Sequence, residues 1–168
     1  MGFKKTSDLI AVSFGLAEGG ANTFTQEEIA LQLDVLNNEI AVVLAVDIDL
    51  TPPDAIPGTN TVTAGSVSAT TLTAVGSLGQ SNTISVARDD IRAAGFVDGG
   101  VAFSRAAAQS YTGDVDYISL IATNNFFVQV EGIGNGIAKT LTGRLWGYRA
   151  RADASTYAAL VQSEVLSA

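Results

Sequence analysis

The segment Glu39–Leu50, EIAVVLAVDIDL, places Ile40, Val42, Leu44, Val46, Ile48 and Leu50 at every second position. Strand side chains alternate between two faces, so this period of two marks a strand with one apolar face and argues against a helix over the same span. An upstream run, Ile29, Leu31, Leu33 and Val35, repeats the pattern. Asn37-Asn38 stands between the two runs, and asparagine tolerates the positive φ that tight turns require. The pair therefore predicts an antiparallel hairpin. TPPDAIPG, Thr51 to Gly58, ends the second strand, because proline has no N–H to give to a ladder.

The rest of the chain follows the same grammar. Thr59–Gln80 is a Thr, Ser, Ala, Val and Gly tract whose β-branched content suits an exposed or edge strand, with a linker as the rival reading. In SNTISVARDDIRAAGF, Ile84, Ala87, Ile91 and Ala94 fall at helical spacing with Gly95 as a stop, which predicts a short helix over Thr83–Ala94. GGVAFS follows a turn at Asp98-Gly99-Gly100. DYISLIAT and FFVQVEG flank Asn124-Asn125, a second predicted hairpin. GIGNG, Gly132–Gly136, reads as a flexible turn into AKTLTGRLWGYRARA, and Leu160, Val161, Glu164 and Val165 give a helical face near the end.

These elements predict an all-β fold: an eight-stranded antiparallel sandwich, jelly-roll-like, with one short helix and a C-terminal helix or arm. The organisation expected is an N-terminal arm or short helix over 1–26, the β-sandwich over 27–152, and the terminal helix or arm over 153–168. At 168 residues the chain fits one domain with a substantial core.

Composition narrows the function. The chain has no cysteine and no histidine. That removes disulfides, thiolate zinc sites, cysteine nucleophiles, histidine triads and the ordinary near-neutral general base. Only 15% of residues are charged, against roughly 25% in average soluble domains, while 47% are apolar. A surface so poor in charge fits partner-covered area. The net charge of −8, with few and scattered basic residues, argues against nucleic-acid binding as the main role. The longest strongly apolar run, Ile40–Val46, is far short of the roughly 20 residues of a membrane-spanning helix. The first residues, MGFKKTSDLI, lack the pattern of a signal peptide, although Gly2 and Thr6 formally meet the myristoylation pattern.

Several residues are candidates for chemistry. Asp47 and Asp49 lie two apart on one strand face, and with Asp54 across the turn they offer hard oxygen ligands of the kind Ca²⁺ takes. The competing reading makes them the solvated face of the strand. As same-face neighbours they are poorly placed for a glycosidase, whose two carboxylates flank a sugar. Asp114 and Asp116 repeat the spacing. Arg88, Asp89, Asp90 and Arg92 read as solvated ion pairs. GIGNG lacks the lysine and following hydroxyl of a phosphate loop. No catalytic residue and no cofactor are assigned.

Thr140–Asp153, TLTGRLWGYRARAD, holds the single tryptophan and three arginines. As a strand, one face carries Leu141, Leu145, Arg149 and Arg151, and the other Thr142, Arg144, Trp146 and Tyr148. Trp, Tyr and Arg are enriched where protein meets protein. Arg144, Trp146, Tyr148, Arg149 and Arg151 are therefore the candidate interface, with Trp146 filling the sandwich core as the alternative. Base stacking on Trp146 and Tyr148 is opposed by the acidic total.

The eight-strand pattern, the weakly charged surface, the Thr/Ala/Gly-rich tracts and the C-terminal arm together resemble, over about 27–152, small viral coat proteins of the single jelly-roll kind. The resemblance is one of organisation and rests on no family motif. It implies a capsid protein of the virion that assembles with copies of itself and other virion proteins through sheet edges and arms, without catalysis. Lys4 and Lys5 alone stand where many such proteins carry a strongly basic arm. A shell of this chain would therefore leave its genome to another protein, a motor or a membrane. The alternative is a carbohydrate- or receptor-binding β-sandwich of a spike, fibre or tail, with Trp146 or Tyr111 exposed and calcium at Asp47 and Asp49.

Overall fold

A computed structural model describes residues 2–93, 101–105, 109–111 and 116–167. In chain order the strands are β1 (Phe3–Lys5), β2 (Ile10–Ala17), β3 (Thr25–Ala30), β4 (Glu39–Leu50), β5 (Thr61–Ser68), β6 (Thr83–Arg92), β7 (Val101–Arg105), β8 (Gln109–Tyr111), β9 (Ser119–Ile121), β10 (Asn125–Ile133) and β11 (Thr140–Ala152), followed by helix α1 (Ala154–Ser167). One sheet runs β1-β11-β4-β8, with β2 continuing the β1 side along β11 and β9 continuing the β8 side along β4. The other runs β3-β10-β5-β6-β7.

Every pairing is antiparallel, and the pairs nest: β2 with β11, β3 with β10, β4 with β9, β5 with β6. The chain is thus one long hairpin whose tip is the β5–β6 loop, rolled so that the successive nested pairs alternate between two sheets. That is a jelly roll, and the all-β sandwich expected from the sequence is what the chain forms.

The rolling corrects both predicted hairpins. Asn38 does hold a left-handed conformation, at φ 56°. The turn it closes, however, carries the chain from β3 in one sheet to β4 in the other. Leu31 and Leu33 are buried between the sheets there. Asn124 likewise starts no hairpin. Its carbonyl accepts the Leu31 N–H at 3.0 Å and its side chain accepts the Leu33 N–H, which ties two inter-sheet corners together. Local alternation cannot distinguish a hairpin from a crossing, because both need the same turn residues.

The core sits between the sheets and includes Phe14, Val43, Val46, Ile48, Val67, Ile121, Phe126, Val128, Val130, Leu141 and Leu145. The continuous alternation read from Ile40 to Leu50 is broken. Trp146 pairs with Ala45 but Gly147 pairs with Val43, so Leu44 is the extra residue of a β-bulge. Val46, Ile48 and Leu50 face the sandwich interior, whereas Ile40, Val42 and Leu44 face outward. There they form a second core with Phe3, Tyr117, Leu120, Tyr148, Ala150 and Ala152, covered by Tyr157, Leu160 and Val161 of α1.

Helix α1 is held at both ends. The Asp153 carboxylate accepts the Thr156 N–H at 2.8 Å, an N-cap that keeps its carboxyl below the ordinary range. Near the other end Glu164 is buried and accepts the N–H groups of Ala122 (2.7 Å) and Thr123 (3.1 Å). Val165, expected on the packed face, is exposed, and Tyr157 takes part instead.

Three further expectations fail. Thr83–Arg92 is strand β6, not a helix, because pairing with β5 and β7 satisfies its backbone on both sides. Ala94, Gly95 and the turn at Asp98-Gly99-Gly100 lie outside the described residues. The first half of the Thr/Ser-rich tract is no exposed or edge strand, since Thr61–Ser68 form the inner strand β5 with all eight residues buried, while the rest of the tract is the β5–β6 loop. The inner face of β5 is so close to the other sheet that a Cβ on Gly65 would fall 2.2 Å from Leu141 Cδ1. The β5–β6 loop folds back over its outer face. Gly76 N–H bonds Ser66 Oγ (2.9 Å) and Leu72 N–H bonds Gln26 Oε1 (2.8 Å), while Gln129 bridges Ser66, Ser68 and Gln26. Ser66 and Ser68 suit this strand because they fill narrow space and find partners beneath the loop. Residues 1–26, finally, contribute β1, β2 and the start of β3 rather than an arm or helix.

Candidate functional site: the open face of the first sheet and the loop end beside it

Helix α1 covers only one end of the outer face of the β1-β11-β4-β8 sheet. Beyond the bulge the face is open. The register sets Ser13, Arg144 and Asp47 in one row across β2, β11 and β4, and Ala11, Trp146 and Ala45 in the next. Trp146 is half-buried on this face, outside both core clusters. Its Nε1–H donates to Asp47 Oδ2 at 3.3 Å, and the Arg144 guanidinium stands 5.5 Å from the ring centroid while its Nε–H donates to Ser13 Oγ at 3.2 Å. A cation over an exposed ring contributes about 0.5–1 kcal/mol, enough to orient the pair.

The other interface candidates go elsewhere. Tyr148 is in the core under α1, with Lys5 Nζ 5.1 Å above its ring. Arg149 turns inward, 3.8 Å from Glu39 Oε1 and 3.4 Å from the Leu31 carbonyl it bonds. Arg151 is exposed opposite Lys4. The backbone of Tyr111 pairs with Ala45, which puts β8 along this face.

The acidic candidates do not converge. Asp47 and Asp49 are exposed on β4, whereas Asp54 is committed to the loops at the end of the sandwich. Among the described residues no group of three acidic side chains is placed to hold a metal ion. Asp114 lies outside the described residues, and Asp116 is exposed. Asp90 is buried rather than solvated, with Arg88 Nε at 3.0 Å and Arg92 at 3.7 Å.

The loop end holds the polar network that sequence reasoning missed. Lys139 is 2% exposed and its Nζ is 2.6 Å from Asp54 Oδ1. Asp54 Oδ2 accepts the Gly136 and Ile137 N–H groups at 2.8 and 3.3 Å. Buried Glu18 accepts three backbone N–H groups, from Thr23, Gly132 and Lys139, each within 2.8–2.9 Å. Asn22 and Asn135 exchange bonds, and Asn135 also reaches Val62 and Asp54. GIGNG is thus a braced turn, with Gly134 at φ +71°. The one hint in the sequence is a lone lysine, Lys139, set between Ile137-Ala138 and Thr140-Leu141.

The Lys139 ammonium, aided by the two N–H groups, holds the Asp54 carboxyl below its ordinary pKa. A depressed folded value stabilises the protein above the unfolded carboxylate's pKa, about 3.9, and that stabilisation is lost as pH falls through the lower folded value. Thermal melts from about pH 5 to about pH 2 are expected to show a smaller acid loss for Asp54→Asn than for the unaltered chain. Equal losses would remove Asp54 from the account.

The fold places the protein in the class of jelly-roll β-sandwiches. No family model matches the chain, and no curated protein matches it. Among solved structures, a chain from Desmodium yellow mottle tymovirus is similar over 88% of this chain and 91% of its own, at 14% identity and a TM-score of 0.33. A likeness that shallow carries no functional argument.

Proposed function

We propose that this protein is a structural subunit of a virion, a capsid protein that assembles with copies of itself and uses no catalysis. The observation that carries the reading is apolar area left uncovered on a charge-poor chain. Leu36 is 92% exposed, Leu166 76%, Leu78 70% and Ile137 61%, while 15% of the residues are charged. Such side chains occur singly on ordinary surfaces. Here they stand at both ends of the sandwich and on the terminal helix, where neighbouring subunits in a shell would cover them. The rigid jelly roll, the braced loop end and the helix fastened by Glu164 suit a unit whose task is cohesion. Electron microscopy and sedimentation of the purified protein test it. Particles or large capsomers are expected, and a monomer at all concentrations would overturn it.

A carbohydrate- or receptor-binding module is the second reading, favoured by the oriented Trp146 beside Arg144 and Asp47 on an open face. The two readings differ in what Trp146→Ala does. For a subunit contact, assembly falls about tenfold while the melting temperature drops only modestly, because half-buried Trp146 lies outside both core clusters and its loss opens no cavity between the sheets. Parallel sedimentation and melting runs check this, with equal loss of both placing Trp146 in the folding core. Loss of glycan retention with assembly intact would favour the module.

A further inference from the structure

We propose that β2 is an open docking edge that pairs antiparallel with β2 of a second copy, joining two six-stranded sheets into one. The proposal rests on the assembly reading and adds the surface through which copies meet. Strand β2 is IAVSFGLA, eight residues with no charge and no proline. It pairs with β11 on one side, and among the described residues no strand pairs with its other side. A strand so placed presents a row of free N–H and C=O groups, and proteins that stay apart blunt such edges with charge, proline or bulges.

The neighbouring edges follow that rule. β1 carries exposed Lys4 and Lys5, and β3, which lies beneath β2 in the other sheet, carries exposed Glu27 and Glu28. β2 alone among the three is left bare. Its sandwich-facing Val12 and Leu16 are only half-buried, and its outward residues Ala11, Ser13, Gly15 and Ala17 are small and exposed. Nothing bulky therefore stands in the way of an approaching backbone.

A second copy is the occupant that fits. An antiparallel strand is complementary to itself about a two-fold axis, so the same eight residues supply both halves of the ladder and bury Val12 and Leu16 of both chains. The same axis brings Glu27 and Glu28 toward their own copies one layer below. Association through β2 should therefore tighten as salt screens that repulsion, the opposite of a contact held by opposite charges.

The test uses the full chain. Sedimentation equilibrium is run on the unaltered protein and on Val12→Lys, which puts a charge on the half-buried inner face of the edge strand that the second copy would cover, at salt from about 0.05 to about 0.5 M. Hydrogen exchange over Ile10–Ala17 is followed with concentration on the unaltered protein, so the result does not depend on the variant folding. Expected are association weakened about tenfold or more by Val12→Lys, tighter association at high salt, and slowing of Ile10–Ala17 amides on assembly. If particles form while those amides exchange at an unchanged rate, or while folded Val12→Lys associates as tightly, the edge proposal falls and the assembly reading stands. If the unaltered chain never associates, both fall.

Discussion

Phe126→Ala is expected to lower the stability of this protein by about 3–5 kcal/mol, a large share of the roughly 5–15 kcal/mol that holds a domain folded. Phe126 lies on β10 with no exposed surface, and its ring meets that of Phe14 edge-on at 5.8 Å and 75°. The two rings connect the sheets, since Phe14 comes from β2 and Phe126 from the sheet opposite. Neither rolled sheet can close over the resulting void without breaking its ladder, so the cavity persists and the cost stays near the upper part of the range. Phe127, next in sequence, points to the other face and is only half-buried. Phe127→Ala should cost clearly less, and denaturant titrations of the two variants measure the contrast. Equal costs would mean that β10 does not sit in the register described.

Glu18→Ala is expected to cost about 3 kcal/mol or more, because it strands backbone donors rather than removing apolar area. Three N–H groups, from Thr23, Gly132 and Lys139, lose their acceptor together. Thr23 belongs to the β2–β3 connection, Gly132 to the end of β10 and Lys139 to the β10–β11 connection, so one carboxylate ties segments that are far apart in sequence. Glu18→Gln restores one carbonyl oxygen but points an amide N–H₂ at the remaining donors, and should fall between the two. Denaturant titration gives the total, and faster exchange of the Gly132 and Lys139 amides locates it. A variant as stable as the unaltered chain, with those amides still protected, would show that water replaces the carboxylate.

The carboxylates of Glu18 and Glu164 share a logic that bears on assembly. Each is buried, and each accepts backbone N–H groups at a place where the chain leaves one sheet for the other. Side chains spent in this way are removed from the already sparse set of surface charges. The exterior is consequently more apolar than the count of acidic residues suggests, and that exterior is the basis of the proposed self-association.

Alternation, turn residues and the missing cysteine and histidine were enough by themselves to determine an antiparallel β-sandwich without the usual catalytic groups, and the face division of β11 into Leu141 and Leu145 against Arg144 and Trp146. These properties are local: a period of two needs only neighbouring residues to declare itself. Tertiary structure decided the remainder. Asn38 and Asn124 open crossings instead of hairpins, Leu44 bulges and reverses the faces of β4, Thr83–Arg92 extends despite its helical spacing, and the tract at Thr61–Ser68 is buried on both faces. Lys139, Glu18 and Asp54 meet only because the roll brings three distant loops to one end. Each of these outcomes depends on which strand lies alongside, and pairing partners from the two ends of the chain, as Phe3 and Ala152 are, leave no mark on the residues between them.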